Sequence, residues 1–225
     1  MRDFTNLTFT LDELAGDIYP QPRDAGHDAR TNDVLMRWLP AMSTFKKGEQ
    51  KKVLDVGCGQ GNAADIFDLF GWTWTGVTLG EDYNVCKAKG LNVYPDDFSF
   101  LDRFDDSSFD MVFARHSLEH SPIPLPTLFE WHRVCKFYLM LIVPSVEKEI
   151  VAGLNHYALL YKVQWEALLF RAGFRAMWED KSEPTEYRLL CQRTRRMKPP
   201  YDYHTFTTET LGGEGMDLRD EDARK

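Results

Sequence analysis

The stretch Val53-Leu-Asp-Val-Gly-Cys-Gly-Gln-Gly61 decides how this chain folds. Residues 52–56 are a short apolar run of the kind found in strands buried on both faces, and the run ends at Asp55-Val56. Glycines alternate at 57, 59 and 61, and a helical stretch at 62–70 then stops at Gly71. Glycine accepts positive φ and lets a ligand lie against bare backbone. The first N–H groups of the next helix point into the same space. Strand, glycine turn and helix in this order form a ligand-binding unit at the carboxyl end of the strand.

Outward from this unit the pattern keeps alternating. Residues 73–79, 91–94 and 109–114 read as strands, and 137–143 form a continuous apolar run. Helices are predicted at 81–89, ending at Gly90, and at 125–136 after Pro124. Upstream, Asn32-Asp33 can cap a helix reaching about Phe45, with Val34, Leu35, Trp38 and Leu39 on one face. Strands and helices in alternation predict a mostly parallel sheet covered on both sides. Beyond Pro144 the order changes. A helix carrying Trp165, Leu168, Leu169 and Ala172 ends at Gly173, and strands at 175–179 and 186–193 follow, joined by a turn near Ser182-Glu-Pro184. Two strands joined directly predict an antiparallel pair. The expected organisation is an irregular leader at 1–29, a candidate lid bearing Tyr19, Arg23 and His27, then one domain at 30–204 and a polar, mobile tail at 205–225.

Composition narrows the function classes. A length of 225 residues suits one α/β domain with a substantial core, not two. The longest apolar run, 137–143, is too short to span a bilayer, and the amino terminus lacks a signal-peptide pattern, so a cytoplasmic location is expected. Cys58, Cys86, Cys135 and Cys191 form no Cys-x-x-Cys pair and read as reduced thiols. A net charge of −8 disfavours a nucleic-acid footprint, and the basic run at 193–198 reads as a solvated strand end.

Asp55-x-Gly57-x-Gly59-x-Gly61 resembles the first motif of class I, Rossmann-like methyltransferases dependent on S-adenosylmethionine. The turn Phe104-Asp-Asp-Ser-Ser-Phe-Asp110 and the triplet Leu118-Glu119-His120 extend the resemblance over about residues 52–146, and the helix at 164–174 weakly continues it. The resemblance implies a three-layer sandwich around a seven-stranded, mostly parallel sheet whose last strand is antiparallel. It also implies S-adenosylmethionine as cofactor, leaving as S-adenosylhomocysteine. Asp55, Gly57, Cys58, Gly59 and Gly61 would hold its amino acid end, and Arg115 would lie beside it. Many members carry an acid where this chain has Thr78. A branch with Gly-Val-Thr-Leu uses Thr78 and the Leu79 backbone instead, and Glu81 or Asp82 are possible ribose partners. Asp97 and the Phe98 amide would address adenine.

His116, at the end of the fourth strand, is the first candidate general base, and His120 the second. His156 and Tyr157, in the segment after the fifth strand, are the candidate acceptor contacts. His116-Ser-Leu-Glu119-His120 also spells an inverted zincin motif. Pro122 and Pro124 leave any helix there about one turn, so no metal is expected. Gly59-x-Gly61-x-x-Ala64 followed by Glu81 also satisfies a relaxed dinucleotide pattern, which keeps an NAD(P)-dependent oxidoreductase as an alternative. A binding protein that has lost turnover is another, resting on Thr78. The Asp/Asn-Pro-Pro-Tyr motif of base amino-methylases and the Pro-Cys of cytosine-5 methylases are missing, which leaves oxygen, nitrogen or carbon of a small-molecule acceptor.

Overall fold

The apolar runs do become the strands of one sheet. The computed structural model describes residues 10, 11, 13, 14, 25–42, 50–146 and 155–196. The elements are α1 (Ala25–Met42), β1 (Lys51–Val56), α2 (Ala64–Leu69), β2 (Trp72–Val77), α3 (Gly80–Ala88), β3 (Val93–Tyr94), β4 (Phe109–Arg115), α4 (Pro124–Val134), β5 (Cys135–Pro144), α5 (Lys162–Ala172), β6 (Phe174–Asp180) and β7 (Glu186–Arg193). The sheet order is β3-β2-β1-β4-β5-β7-β6. The first five strands run parallel, while β7 is antiparallel to both β5 and β6. The last strand therefore lies inside the sheet, and β6 takes the edge.

Alternation along each strand feeds two cores. Leu54, Val56, Val112, Leu139, Leu141 and Val143 pack on one face with Trp131 of α4 and Trp165 of α5. Val53, Met111, Phe113, Met140 and Ile142 pack on the other, under Trp38 and Leu39 of α1. The four cysteines are buried and free.

Two boundaries differ from the sequence expectation. α1 begins at Ala25, not Asn32, so residues 25–29 of the expected leader are helical. Its first turn carries Asp28, an acid that favours a helix N-terminus, and Asp28 accepts a hydrogen bond from the Asn62 amide. The helix expected at 125–136 gives way to β5 at Cys135, whose backbone is already extended. Phe45, Tyr19, Arg23, the tail at 205–225 and part of the segment after β5 lie outside the described residues. Among the described residues, no helix is long and apolar enough to cross a membrane.

Candidate active site

β1 and β4 are neighbours, but their following helices cover opposite faces of the sheet. A crevice opens at their carboxyl ends, as expected where strand order reverses. It holds a cavity of about 500 Å³. The glycine turn forms its floor. Gly57, Gly59 and Gly61 all adopt positive φ, and the amides of Gly57 and Cys58 both donate to the Val77 carbonyl at 2.9 and 3.0 Å. The turn is thus tied to the end of β2. Gly57 and Gly59 line the cavity. A Cβ on Gly59 would meet only Asp82 Oδ2, at 3.8 Å, so the space above this residue is open.

Gly61 behaves differently. It is not among the cavity-lining residues, and a Cβ there would come within 2.3 Å of Leu91 Cδ1. Its lack of a side chain serves the packing of the turn against the strand and helix behind it.

Asp55, Cys58, Thr78, Leu79, Asp97, Phe98 and Arg115 line the same cavity. Asp55 accepts a hydrogen bond from the Trp74 indole at 3.0 Å. Burial nevertheless pushes its carboxyl up to about 7, because desolvation of the anion outweighs that one bond. Of the two acids considered beside Thr78, Asp82 lines the cavity, whereas Glu81 accepts from the Asn84 amide at 3.1 Å.

At the other end, His116, His120, His156 and Tyr157 also line the cavity. His116 sits at φ +50, a left-handed conformation that a non-glycine residue adopts only under external constraint. The constraint is visible. Its amide donates to the Ile142 carbonyl at 2.9 Å, its Nε2 is 2.9 Å from Glu186 Oε1, and its Nδ1 is 3.2 Å from Glu119 Oε1. Burial disfavours the imidazolium, but the two carboxylates win and raise its pKa. Burial likewise opposes the Glu186 carboxylate, yet His116 and Arg115 hold it well below the usual range. Both nitrogens of His116, the first candidate base, thus face carboxylates.

His120 occupies a single 3₁₀ turn, Leu118–His120, and its Nδ1 donates to the Asn155 carbonyl at 3.0 Å. Burial lowers its pKa. His156 packs edge-on against it, with ring centroids 4.7 Å apart.

A model of the methyltransferase domain family matches residues 54–137. That stretch runs from the glycine turn to the start of β5, and over it the chain is similar to methyltransferase domains. The methyltransferase domain is 28% identical over 139 residues to the ubiquinone biosynthesis O-methyltransferase of Thiobacillus denitrificans, covering 50% of this chain and 59% of that one. It is 30% identical over 112 residues to its counterpart in Pseudomonas syringae, covering 47% of each. The matched stretch thus spans about half the length of these curated relatives. Among solved structures, a methyltransferase from Archaeoglobus fulgidus aligns with TM-score 0.60 at 18% identity, over 74% of this chain and 94% of the other. One from Aquifex aeolicus aligns with TM-score 0.57 at 21% identity, over 77% and 100%. These structural likenesses speak for the fold.

The sequence reading missed one part of the candidate site altogether. Glu186, at the start of β7, is 2.6 Å from Arg115 through Oε1 and 2.7 Å from buried Arg188 through Oε2, with Arg30 of α1 at 3.6 Å. Arg188 and Arg37 of α1 both reach Asp33 and Asp180. This chain of ions ties α1 to the β6–β7 hairpin behind the cavity. Leu11, Leu14 and His27 reach the cavity from the amino-terminal side, and the His27 ring lies 5.0 Å from that of His116.

Proposed function

We propose that this domain transfers a methyl group from S-adenosylmethionine to a hydroxyl oxygen of a small molecule. The observation that carries the reading is the open, positive-φ glycine turn beside a buried carboxylate, at one end of a cavity large enough for a small-molecule ligand. Its residues fit the cofactor. Gly59 leaves space that any Cβ would begin to fill, and Asp55 offers an anion for the ammonium. Thr78, Leu79 and Asp82 take the ribose, Asp97 and Phe98 the adenine, and Arg115 flanks the amino acid end. S-adenosylmethionine supplies an activated methyl group with a good leaving group, so the domain's task is mostly alignment. The choice of oxygen rests on the two O-methyltransferase relatives. The acceptor enters between Tyr157 and the His120–His156 corner, and loss of its proton belongs to that corner because His116 is locked. Leu11, Leu14 and His27 close the amino-terminal side as a lid.

The test is calorimetric titration of the full chain with S-adenosylmethionine, S-adenosylhomocysteine, NAD and NADP. Micromolar binding of the two sulfur compounds alone supports the reading, and binding of a nicotinamide nucleotide in their place would overturn it.

The Asp55 carboxyl makes this binding pH-dependent. With its pKa held at about 7, the empty protein carries a proton there at pH 6, whereas the cofactor's ammonium favours the anion. Affinity therefore weakens about tenfold per unit below pH 7 and levels off above it, with a proton released on binding. Titrations at pH 6 and 8 in buffers of different ionisation enthalpy measure both. Asp55→Asn binds weakly at either pH and releases no proton there. The same pKa, raised above the usual 3.8, means the empty fold loses stability as pH rises from about 4 to about 7.

A further inference from the structure

We propose that Glu119, His120 and His156 form a binding site for a divalent transition-metal ion, of which zinc is the type, at the acceptor end of the cavity. One ligand atom from each of the three residues lies within 4.8 Å of the others. Two imidazoles and one carboxylate are a ligand set suited to zinc and its neighbours, and three protein ligands with an open fourth position are the arrangement of catalytic sites. With bonds of about 2.0–2.2 Å to a tetrahedral ion, ligand atoms stand about 3.4 Å apart, so the side chains would close by about 1 Å.

Two further observations point to a missing partner. Glu119 is fully buried; its Oε1 faces His116 Nδ1 at 3.2 Å, and among the described residues its Oε2 has no hydrogen-bond partner. A buried carboxylate with an unanswered oxygen is costly unless something cationic completes it. His120 is already oriented as metal-ligating histidines are, with its Nδ1–H held by the Asn155 carbonyl so that Nε2 is the ligand atom.

The ligands are not those of the zincin pattern that the sequence spells. His116, the first histidine of that motif, faces Glu186, and its place is taken by His156, which comes from beyond β5. Sequence spacing could not reveal the set for this reason.

The inference rests on the reading of this end of the cavity as the acceptor side. An acceptor hydroxyl oxygen at the open position would lose its proton to solvent more readily, because the cation lowers its pKa. His120 is then a ligand, and the cation takes over the work of a base.

The experiment is titration of the chelator-treated full chain with Zn2+ by calorimetry, and with Co2+ by visible absorption. One equivalent should bind, with a cobalt spectrum of low-symmetry, four- or five-coordinate character. His156→Ala and Glu119→Gln should each weaken binding tenfold or more. His156 is partly exposed, so its loss leaves the fold in place even if the buried Glu119 variant does not. Absence of binding, or equal binding by wild type and His156→Ala, overturns the proposal. S-adenosylhomocysteine is titrated separately. Its binding without zinc binding defeats the metal site alone, whereas zinc binding without it defeats the methyltransferase reading and leaves the metal site standing.

Discussion

Gly59→Arg folds and fails to bind S-adenosylhomocysteine. At φ +52 a side chain costs about 1–2 kcal/mol, because a left-handed backbone crowds Cβ against the following carbonyl. No other atom obstructs it, since only Asp82 Oδ2 lies within 4 Å of the point where the Cβ would stand. The arginine therefore enters the cavity, where Asp55 and Asp82 attract its charge. It occupies the place of the cofactor's amino acid end and neutralises the anion meant for the ammonium. Affinity should fall by at least about 3 kcal/mol, roughly a hundredfold. Calorimetry with a parallel thermal melt separates this from unfolding. A variant that melts within a few degrees of wild type and still binds at wild-type strength would remove the glycine turn from the cofactor site.

Glu186→Ala should damage the fold itself. Arg115 and Arg188 both direct positive charge at this carboxylate, His116 Nε2 lies 2.9 Å from it, and its side chain is 2% exposed. Removing it leaves the Arg115 and Arg188 guanidinium groups without this carboxylate between them. Breaking a buried ion pair from one side costs about 3–5 kcal/mol, a large share of the roughly 5–15 kcal/mol that holds a typical domain. For a chain of this size that is a melting point lower by roughly 10 °C. Glu186→Gln, which keeps the shape and one acceptor, should fall between the two. A Glu186→Ala melt indistinguishable from wild type would mean that the network contributes nothing.

Sequence alone revealed the parts of the methyltransferase domain that are local. The glycine turn, the apolar run of β5 and the β6–β7 pair each lie within a few consecutive residues, and each forms where its pattern places it. Thr78, Asp97 and Phe98, named through the family resemblance, all line the cavity. Glu186 could not be located in this way. It is 70 residues from His116, and nothing in the triplet Glu-Tyr-Arg distinguishes a buried ion cluster from an ordinary strand start. Of the two carboxylates facing His116, Glu119 lies three residues on, and only Glu186 comes from a distant element. Gly61 matched the motif yet serves packing, because a pattern of glycines records where Cβ is unwelcome without saying whether ligand or protein occupies the space. The early start of α1 escaped notice because Asn32 is a good cap wherever it stands.

The interior position of β7 has a consequence for how the chain is made. A ribosome emits β5 and β6 before the strand that belongs between them. Until residue 193 has emerged, β5 presents an open hydrogen-bonding edge along its most apolar stretch, Leu139 to Val143, and β6 has nothing to pair with. An unpaired edge of that kind invites association with other chains. Glu186 arrives in the same late strand, so Arg115 and His116 wait for their counter-ion throughout synthesis. A nascent chain halted after α5 is thus both sticky and electrostatically incomplete, and chaperone dependence should concentrate in that interval.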